Sequence, residues 1–229
     1  MKWLELNNQV IIRNNEGHLQ LEKDKEALNC YMEDYVYKKS KKFNNILSKI
    51  NFLVENNYYS KDIIDKYSDN FIEKLYNDIK NANFEFKSYM AANKFYQSYA
   101  LKSNDGKEIL EMYEDRVLIV ALTLADGDNN LANDIANKLI MQEFQPATPT
   151  FLNAGRVRSG EMVSCFLITV EDSCDGISYA ISSANHLSKI GGGVAINLTR
   201  LRAHGESIKD IEGVAGGVIG VAKMLEQSF

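Results

Sequence analysis

Cys165 is the residue with the widest chemical range in the chain, and it follows Ser164 inside the apolar run EMVSCFLITV. A free cysteine is either a small core hydrophobe or, where it is accessible and activated, a nucleophilic or redox thiol. No adjacent His or Lys supplies a base. Gly191-Gly192-Gly193 is the second candidate. Three glycines let backbone N–H groups approach a ligand such as a phosphate, or they simply make a tight turn. The triplet is neither GxGxxG opening a helix nor a P-loop, since no Lys-Ser/Thr follows it. Arg200, Arg202 and Lys209 fall in one short segment. They are either a solvated surface or an anion site, where arginine can grip phosphate with two parallel bonds. Asp172 and Asp175 follow the apolar run and can cap the next helix or accept from a ligand hydroxyl. Cys30, Cys165 and Cys174 form no CxxC, and His18, His186 and His204 are scattered, so no metal site is expected.

The elements that must position these residues change character along the chain. Residues 1–145 read as helices. Apolar stripes recur at Leu28, Tyr31, Met32 and Tyr35, and at Phe43, Ile46, Leu47, Ile50 and Leu53. Another runs through Phe71, Ile72, Leu75 and Ile79 behind a Ser68-Asp69 cap, and another through Ala92, Phe95, Tyr96 and Tyr99. EDRVLIVALTLADGD is largely apolar and predicts a buried helix, followed by one with Leu131, Ile135, Leu139 and Ile140 inward. Pro146 and Pro149, the only prolines, mark the boundary, because proline does not continue a helix and favours extended geometry before it. Beyond it, EMVSCFLITV predicts a strand covered on both faces, residues 175–189 a helix, and VAINL a second buried strand at the sheet edge. Strand, helix, glycine turn, strand is α/β grammar.

Bulk properties narrow the class. The 229 residues carry a formal charge of −5, which gives no electrostatic case for nucleic-acid binding. Three cysteines argue against a secreted disulfide scaffold. No signal-peptide core and no membrane-length apolar window is visible, so a cytoplasmic chain is expected.

The order of the segments is more specific than any one of them. PATPTFLNAG, GEMVSCFLITVEDSCDGI, LSKIGGGVAINLTRLRAHGESIK and GVIGVAKMLEQSF follow one another, with FYQSYALKSNDGK and YEDRVLIVALTLADGD upstream. From about residue 15 to the last, this series resembles the large, catalytic subunit of ribonucleotide reductases of class Ib. The resemblance implies an α/β fold in which a helical N-terminal domain, 1–145, leads without an ATP-cone domain into a ten-stranded α/β barrel. Only the first strands of that barrel, 146–229, are expected in this chain.

It also implies reduction of ribonucleoside diphosphates to 2′-deoxyribonucleoside diphosphates, for DNA precursor synthesis, by thiyl-radical chemistry. Cys165 matches the first cysteine of the redox pair. Thr148 and Ser164 match positions that hydrogen-bond the substrate, and Gly191 and Gly192 a backbone segment close to it. Asp172, Ser188, Arg202 and Lys209 fall at or near the site for deoxynucleoside triphosphate or ATP effectors, with Ser188 needing a one-residue gap. No cofactor is expected in this chain, since the metal-radical cofactor belongs to a small subunit. The implied partners are that small subunit, a thioredoxin- or glutaredoxin-like reductant and a second large subunit, with dimer contacts near residues 175–189. The effector loop, the second redox cysteine, the radical cysteine and the shuttle cysteines match nothing among these residues. The chain is therefore expected to be inactive alone and to need the C-terminal remainder of the subunit. A non-catalytic nucleotide- or subunit-binding module of the same fold is the competing expectation.

Overall fold

The computed structural model describes residues 1–157 and 160–228, in two compact units, 1–159 and 160–229. The first unit is helical. Its elements are α1 (Lys2–Gln9), α2 (Glu22–Tyr31), α3 (Tyr37–Lys39), α4 (Ile46–Glu55), α5 (Lys61–Ile64), α6 (Asp69–Asn81), α7 (Tyr89–Lys94), α8 (Tyr113–Ala125), α9 (Asn129–Ile140) and α10 (Thr148–Asn153). Two π-turns, Met32–Val36 and Phe95–Tyr99, continue α2 and α7. In the second, the Ala100 N–H reaches back five residues to the Phe95 carbonyl at 2.9 Å.

Local chemistry starts these helices. Asn45 and Ser48 cap α4 reciprocally, each accepting from the other's backbone N–H. Ser68 accepts from the Phe71 N–H at the start of α6, and Asp128 from Asn130 and Leu131 at the start of α9. The expected stripes of α4 and α6 are largely buried: Ile46, Ile50 and Leu53 in one, Ile72, Leu75 and Ile79 in the other. α8 buries Val117 to Leu122 without a break, as its largely apolar sequence predicts, and α5, α6, α9 and α10 pack on it.

One stripe differs from expectation. In α9 the buried residues are Ala132, Ala136, Leu139 and Ile140, whereas Leu131 is 45 % exposed. The small alanines bring α9 close to α8, and this closeness rotates the helix away from the face that the larger side chains suggested. The proline region also differs. Pro149 sits in the first turn of α10, where its missing N–H costs no helical bond. Phe151 of α10 enters the helical core, so the residues from Pro146 to Val157 stay with the first unit, and the units divide at Ser159 and Gly160.

The second unit opens with β1 (Cys165–Thr169), α11 (Cys174–Lys189) and β2 (Gly193–Asn197), and ends in α12 (Val218–Glu226). β1 and β2 are parallel, with Cys165 opposite Gly193 and Thr169 opposite Asn197. α11 is the crossover and packs on both strands. Phe166, Ile168, Val194 and Ile196 are half-buried, but Cys165, Leu167, Thr169 and Ala195 are exposed, Leu167 by 86 %. The expectation of strands covered on both faces is corrected here. One helix layer covers one face, and among the described residues of this unit no second layer lies over the other. The fold is thus a helical unit followed by the start of an α/β barrel.

The α9 geometry predicts a contrast. Leu139→Ala should cost about 3 kcal/mol, the value for an aliphatic side chain removed from a packed core. Leu131→Ala should cost under about 0.5 kcal/mol. Urea melts of the two variants measure both, and equal losses would put the wrong face of α9 inward.

Candidate functional site

The helical unit carries one of the marked residues, Thr148. It is exposed, at the first position of α10, with its hydroxyl 3.1 Å from the Tyr99 hydroxyl. The placement of α10 depends on charges buried beneath it. Glu111 and Arg116 are fully buried. Glu111 Oε1 accepts from the Tyr59 hydroxyl at 2.6 Å and from Arg116 Nη1 at 3.2 Å. Glu111 Oε2 accepts from the Leu101 N–H at 2.9 Å and from Arg156. Arg156 also donates to the Tyr99 carbonyl at 2.5 Å, and Arg116 to the Ala154 carbonyl at the end of α10. Gly155 completes the fit, since a Cβ there would lie 2.3 Å from the Ile119 side chain.

Burial alone would raise the Glu111 carboxyl, but the guanidiniums of Arg156 and Arg116 and the Tyr59 hydroxyl outweigh it and hold the carboxyl at about 2. The same burial, with the negative charge of Glu111 beside it, pushes the Tyr59 hydroxyl well above its ordinary range. None of these residues stood out as a site residue in the sequence. The available signal was Asp115-Arg116 inside an otherwise apolar helix, which demands buried partners.

The other marked residues lie in the second unit. Cys165 begins β1 on its exposed face, with Sγ 3.8 Å from the Ser164 hydroxyl. The Ser164 carbonyl accepts the Gly193 N–H at 2.6 Å, which ties the start of β1 to the glycine triplet. The triplet itself ends α11. Gly191, at φ +89°, donates to the Ser188 carbonyl at 2.9 Å, and Gly192 donates to that of Leu187 at 3.1 Å. This pair of bonds is a Schellman motif. All three glycine N–H groups are therefore engaged within the fold, and of the two readings open for the triplet the geometry supports the tight turn. What Gly192 provides is closeness, because a Cβ there would fall 2.2 Å from the Phe166 ring.

Asp172 and Arg202 come together, Oδ2 to Nε 2.7 Å, and Arg202 Nη1 also donates to the Ser207 carbonyl at 3.1 Å. Ser173, rather than Asp172 or Asp175, caps α11 by accepting from the Gly176 N–H at 2.9 Å. Lys209 and Asp210, both at positive φ, form the tip of a tight turn closed by Ile208 and Ile211. Such a turn needs φ > 0 at both central positions. Lys209 is exposed there, and Arg200 is exposed as well. Ser188, in the last turn of α11, shares no hydrogen bond with Asp172, Arg202 or Lys209 among the described residues. Among those residues no group of three His, Cys, Asp or Glu is placed to hold a metal ion, and no helix is long and apolar enough to cross a membrane.

A helical unit followed along the chain by a parallel β-α-β unit with an exposed cysteine is α/β architecture in which the sheet is only begun. Comparison with known families makes this specific. Residues 3–84 match the ribonucleotide reductase N-terminal model, 85–159 the ribonucleotide reductase all-alpha domain, and 163–229 the ribonucleotide reductase barrel domain. The chain belongs to the ribonucleotide reductase large-subunit family. It is 50% identical over 228 residues to the ribonucleoside-diphosphate reductase subunit alpha of Bacillus subtilis, covering 100% of this chain and 32% of the relative. It is 44% identical over 206 residues to the subunit alpha of Mycoplasma genitalium, covering 90% and 29%. It is 30% identical over 199 residues to the large subunit of Monkeypox virus, covering 85% and 24%. The chain thus spans about a third or less of the length of these relatives.

The buried cluster carries a mutational and an acid prediction. Glu111→Gln takes the carboxylate charge away from the fully buried Arg116 guanidinium and should cost about 3–5 kcal/mol in urea melts. Because the folded carboxyl sits at about 2 against an ordinary 4.5, its stabilisation is complete above about pH 4.5. It is lost as pH falls toward 2, on the order of 3 kcal/mol in all. The wild-type stability curve should fall more steeply than that of Glu111→Gln across that window, and parallel curves would remove Glu111 as the acid-sensitive group.

Proposed function

We propose that this chain is the N-terminal part of the catalytic subunit of a ribonucleoside-diphosphate reductase that makes 2′-deoxyribonucleoside diphosphates for DNA synthesis. The observation that carries the reading is the succession of three family models, in order, along nearly all of the chain. In this role Cys165 is one thiol of the redox pair. The exposed position of its sulfur at the start of β1 suits a group that must meet a substrate carbon. Over the whole reaction the ribose loses its 2′ hydroxyl as water. Two thiols give up two electrons and two protons and end as a disulfide. A thiyl radical starts the reaction by taking the 3′ hydrogen and ends it by returning one. The second thiol of the pair and the radical cysteine are supplied by residues outside these 229, so the chain alone is expected to give no turnover.

Thr148 and Ser164 are assigned to hydrogen-bond the substrate. Gly191 and Gly192 are assigned as a close backbone surface beside it, through Cα and carbonyl groups, since their N–H groups are engaged. Asp172, Arg202, Lys209 and Ser188 are assigned to the binding of deoxynucleoside triphosphate or ATP effectors. The Asp172–Arg202 pair supports this by holding the guanidinium and the 203–208 loop in place, with Nε and Nη1 already engaged by Asp172 and the Ser207 carbonyl. The metal-radical cofactor is assigned to a separate small subunit. The remaining partners are a thioredoxin- or glutaredoxin-like electron donor and a second large subunit, in the cytoplasm.

Cys165→Ser tests the assignment in the complete reductase with its small subunit present. Reduction of cytidine diphosphate should fall by at least about a thousandfold, the scale expected when a reacting group is removed, with the melting temperature unchanged. Activity retained within about tenfold would remove Cys165 from the redox pair.

A further inference from the structure

We infer that Tyr99 is a positioning residue, whose hydroxyl fixes the Thr148 hydroxyl in the orientation that meets the substrate. The inference rests on the substrate-binding reading of Thr148 given above. A threonine at the head of a helix chooses between side-chain rotamers, and an exposed one in a six-residue helix has little packing to make the choice. Here the Thr148 oxygen lies 3.1 Å from the Tyr99 hydroxyl. When Tyr99 donates, the Thr148 proton is left to point outward as a donor to an anionic or carbonyl oxygen of a ribonucleoside diphosphate.

Tyr99 suits the task because it is itself fixed from three sides. Its ring packs on Phe151 of α10, centroids 5.9 Å apart. Its carbonyl accepts from Arg156 at 2.5 Å, and Arg156 is in turn paired with the buried Glu111. Its backbone closes the π-turn Phe95–Tyr99, and two residues later the Leu101 N–H binds the same Glu111 carboxylate. In a regular α-helix each backbone bond would span four residues rather than the five from Phe95 to Ala100, so the wide turn helps set where the Tyr99 ring leaves the backbone. The buried ion cluster therefore reaches the exposed threonine through one tyrosine.

Tyr99→Phe keeps the ring and its contact with Phe151 and removes the hydroxyl alone. The test compares Tyr99→Phe, Thr148→Val and the double variant in the complete reductase, using cytidine diphosphate as substrate. Thr148→Val should raise KM. Tyr99→Phe should raise it about three- to tenfold, the value of one hydrogen bond, with kcat within about twofold and the melting temperature unchanged. The double variant should match Thr148→Val alone, because each removes the same pair. A wild-type KM in Tyr99→Phe beside a raised KM in Thr148→Val overturns the positioning role and leaves the substrate reading of Thr148 standing. Additive effects, or a melting temperature lowered by several degrees in Tyr99→Phe, overturn it as well, the latter by making the hydroxyl structural. An unchanged KM in Thr148→Val removes the substrate reading itself.

Discussion

The helical unit is organised around one carboxylate. Glu111 is fully buried and gathers Arg116, Arg156, Tyr59 and the Leu101 backbone. An ion taken out of water this completely is tolerable only when its partners satisfy nearly all of its hydrogen-bonding capacity. That requirement constrains parts of the chain far apart in sequence. Tyr59 follows α4, Arg116 opens α8, and Arg156 follows α10. Arg116 also holds the Ala154 carbonyl, and Gly155 must lack a side chain to pass Ile119. The segment Gly155–Val157 then pairs with Tyr58–Ser60 through two backbone bonds, 2.9 and 3.0 Å. Apolar packing decides that these helices collapse, whereas the charge cluster decides which arrangement they collapse into. Apolar burial is non-directional, whereas a buried ion pair is tolerated only in a geometry that satisfies its hydrogen bonds.

A second buried pair repeats the device. Lys49 of α4 meets Asp115 of α8, which also accepts from the Tyr76 hydroxyl of α6 at 3.0 Å and caps its own helix through the Met112 N–H at 2.6 Å. Three helices are thereby registered by one carboxylate. Adjacent residues of α8, Asp115 and Arg116, point to different partners, which fixes the rotation of this central helix about its axis. The apolar face of α8 could not do this, because the helix is apolar nearly all round and any rotation would bury similar surface.

These relations explain what the sequence disclosed. The helices were legible because their stripes follow the 3.6-residue period and their caps are local, as at Asn45, Ser68 and Asp128. The crossover helix and both strands were legible from β-branched runs around a glycine turn. The orientation of α9 was not, since Ala132 and Ala136 win the interface by being small, and smallness is a property of the pair of helices rather than of one. The single covered face of β1 was not legible either, because an apolar run records what can be buried and not which layer is present. Of the site, the order of motifs pointed to Thr148 and Cys165, but the Glu111 cluster is completed by Tyr59 and Arg156, 52 and 45 residues away, and leaves only a charged dipeptide in α8 as its local trace.

The glycine triplet shows how geometry decides between two readings that residue type leaves open. Three glycines in a turn resemble an anion cradle, since unhindered N–H groups are what such a cradle needs. A donor serves a ligand only if nothing in the fold has taken it. Here the Leu187, Ser188 and Ser164 carbonyls take all three. The glycines are needed for other reasons: Gly191 for a left-handed backbone at the end of α11, and Gly192 because the Phe166 ring occupies the place of its side chain. The consequence for the site follows from the same bonds. The Gly193 N–H binds the carbonyl of Ser164, whose neighbour is Cys165, so the helix end, the turn and the start of β1 form one hydrogen-bonded corner. Under the redox role proposed for Cys165, a thiol gains more from a backbone held by these bonds than from an extra donor, so the turn reading of the triplet is compatible with that proposal.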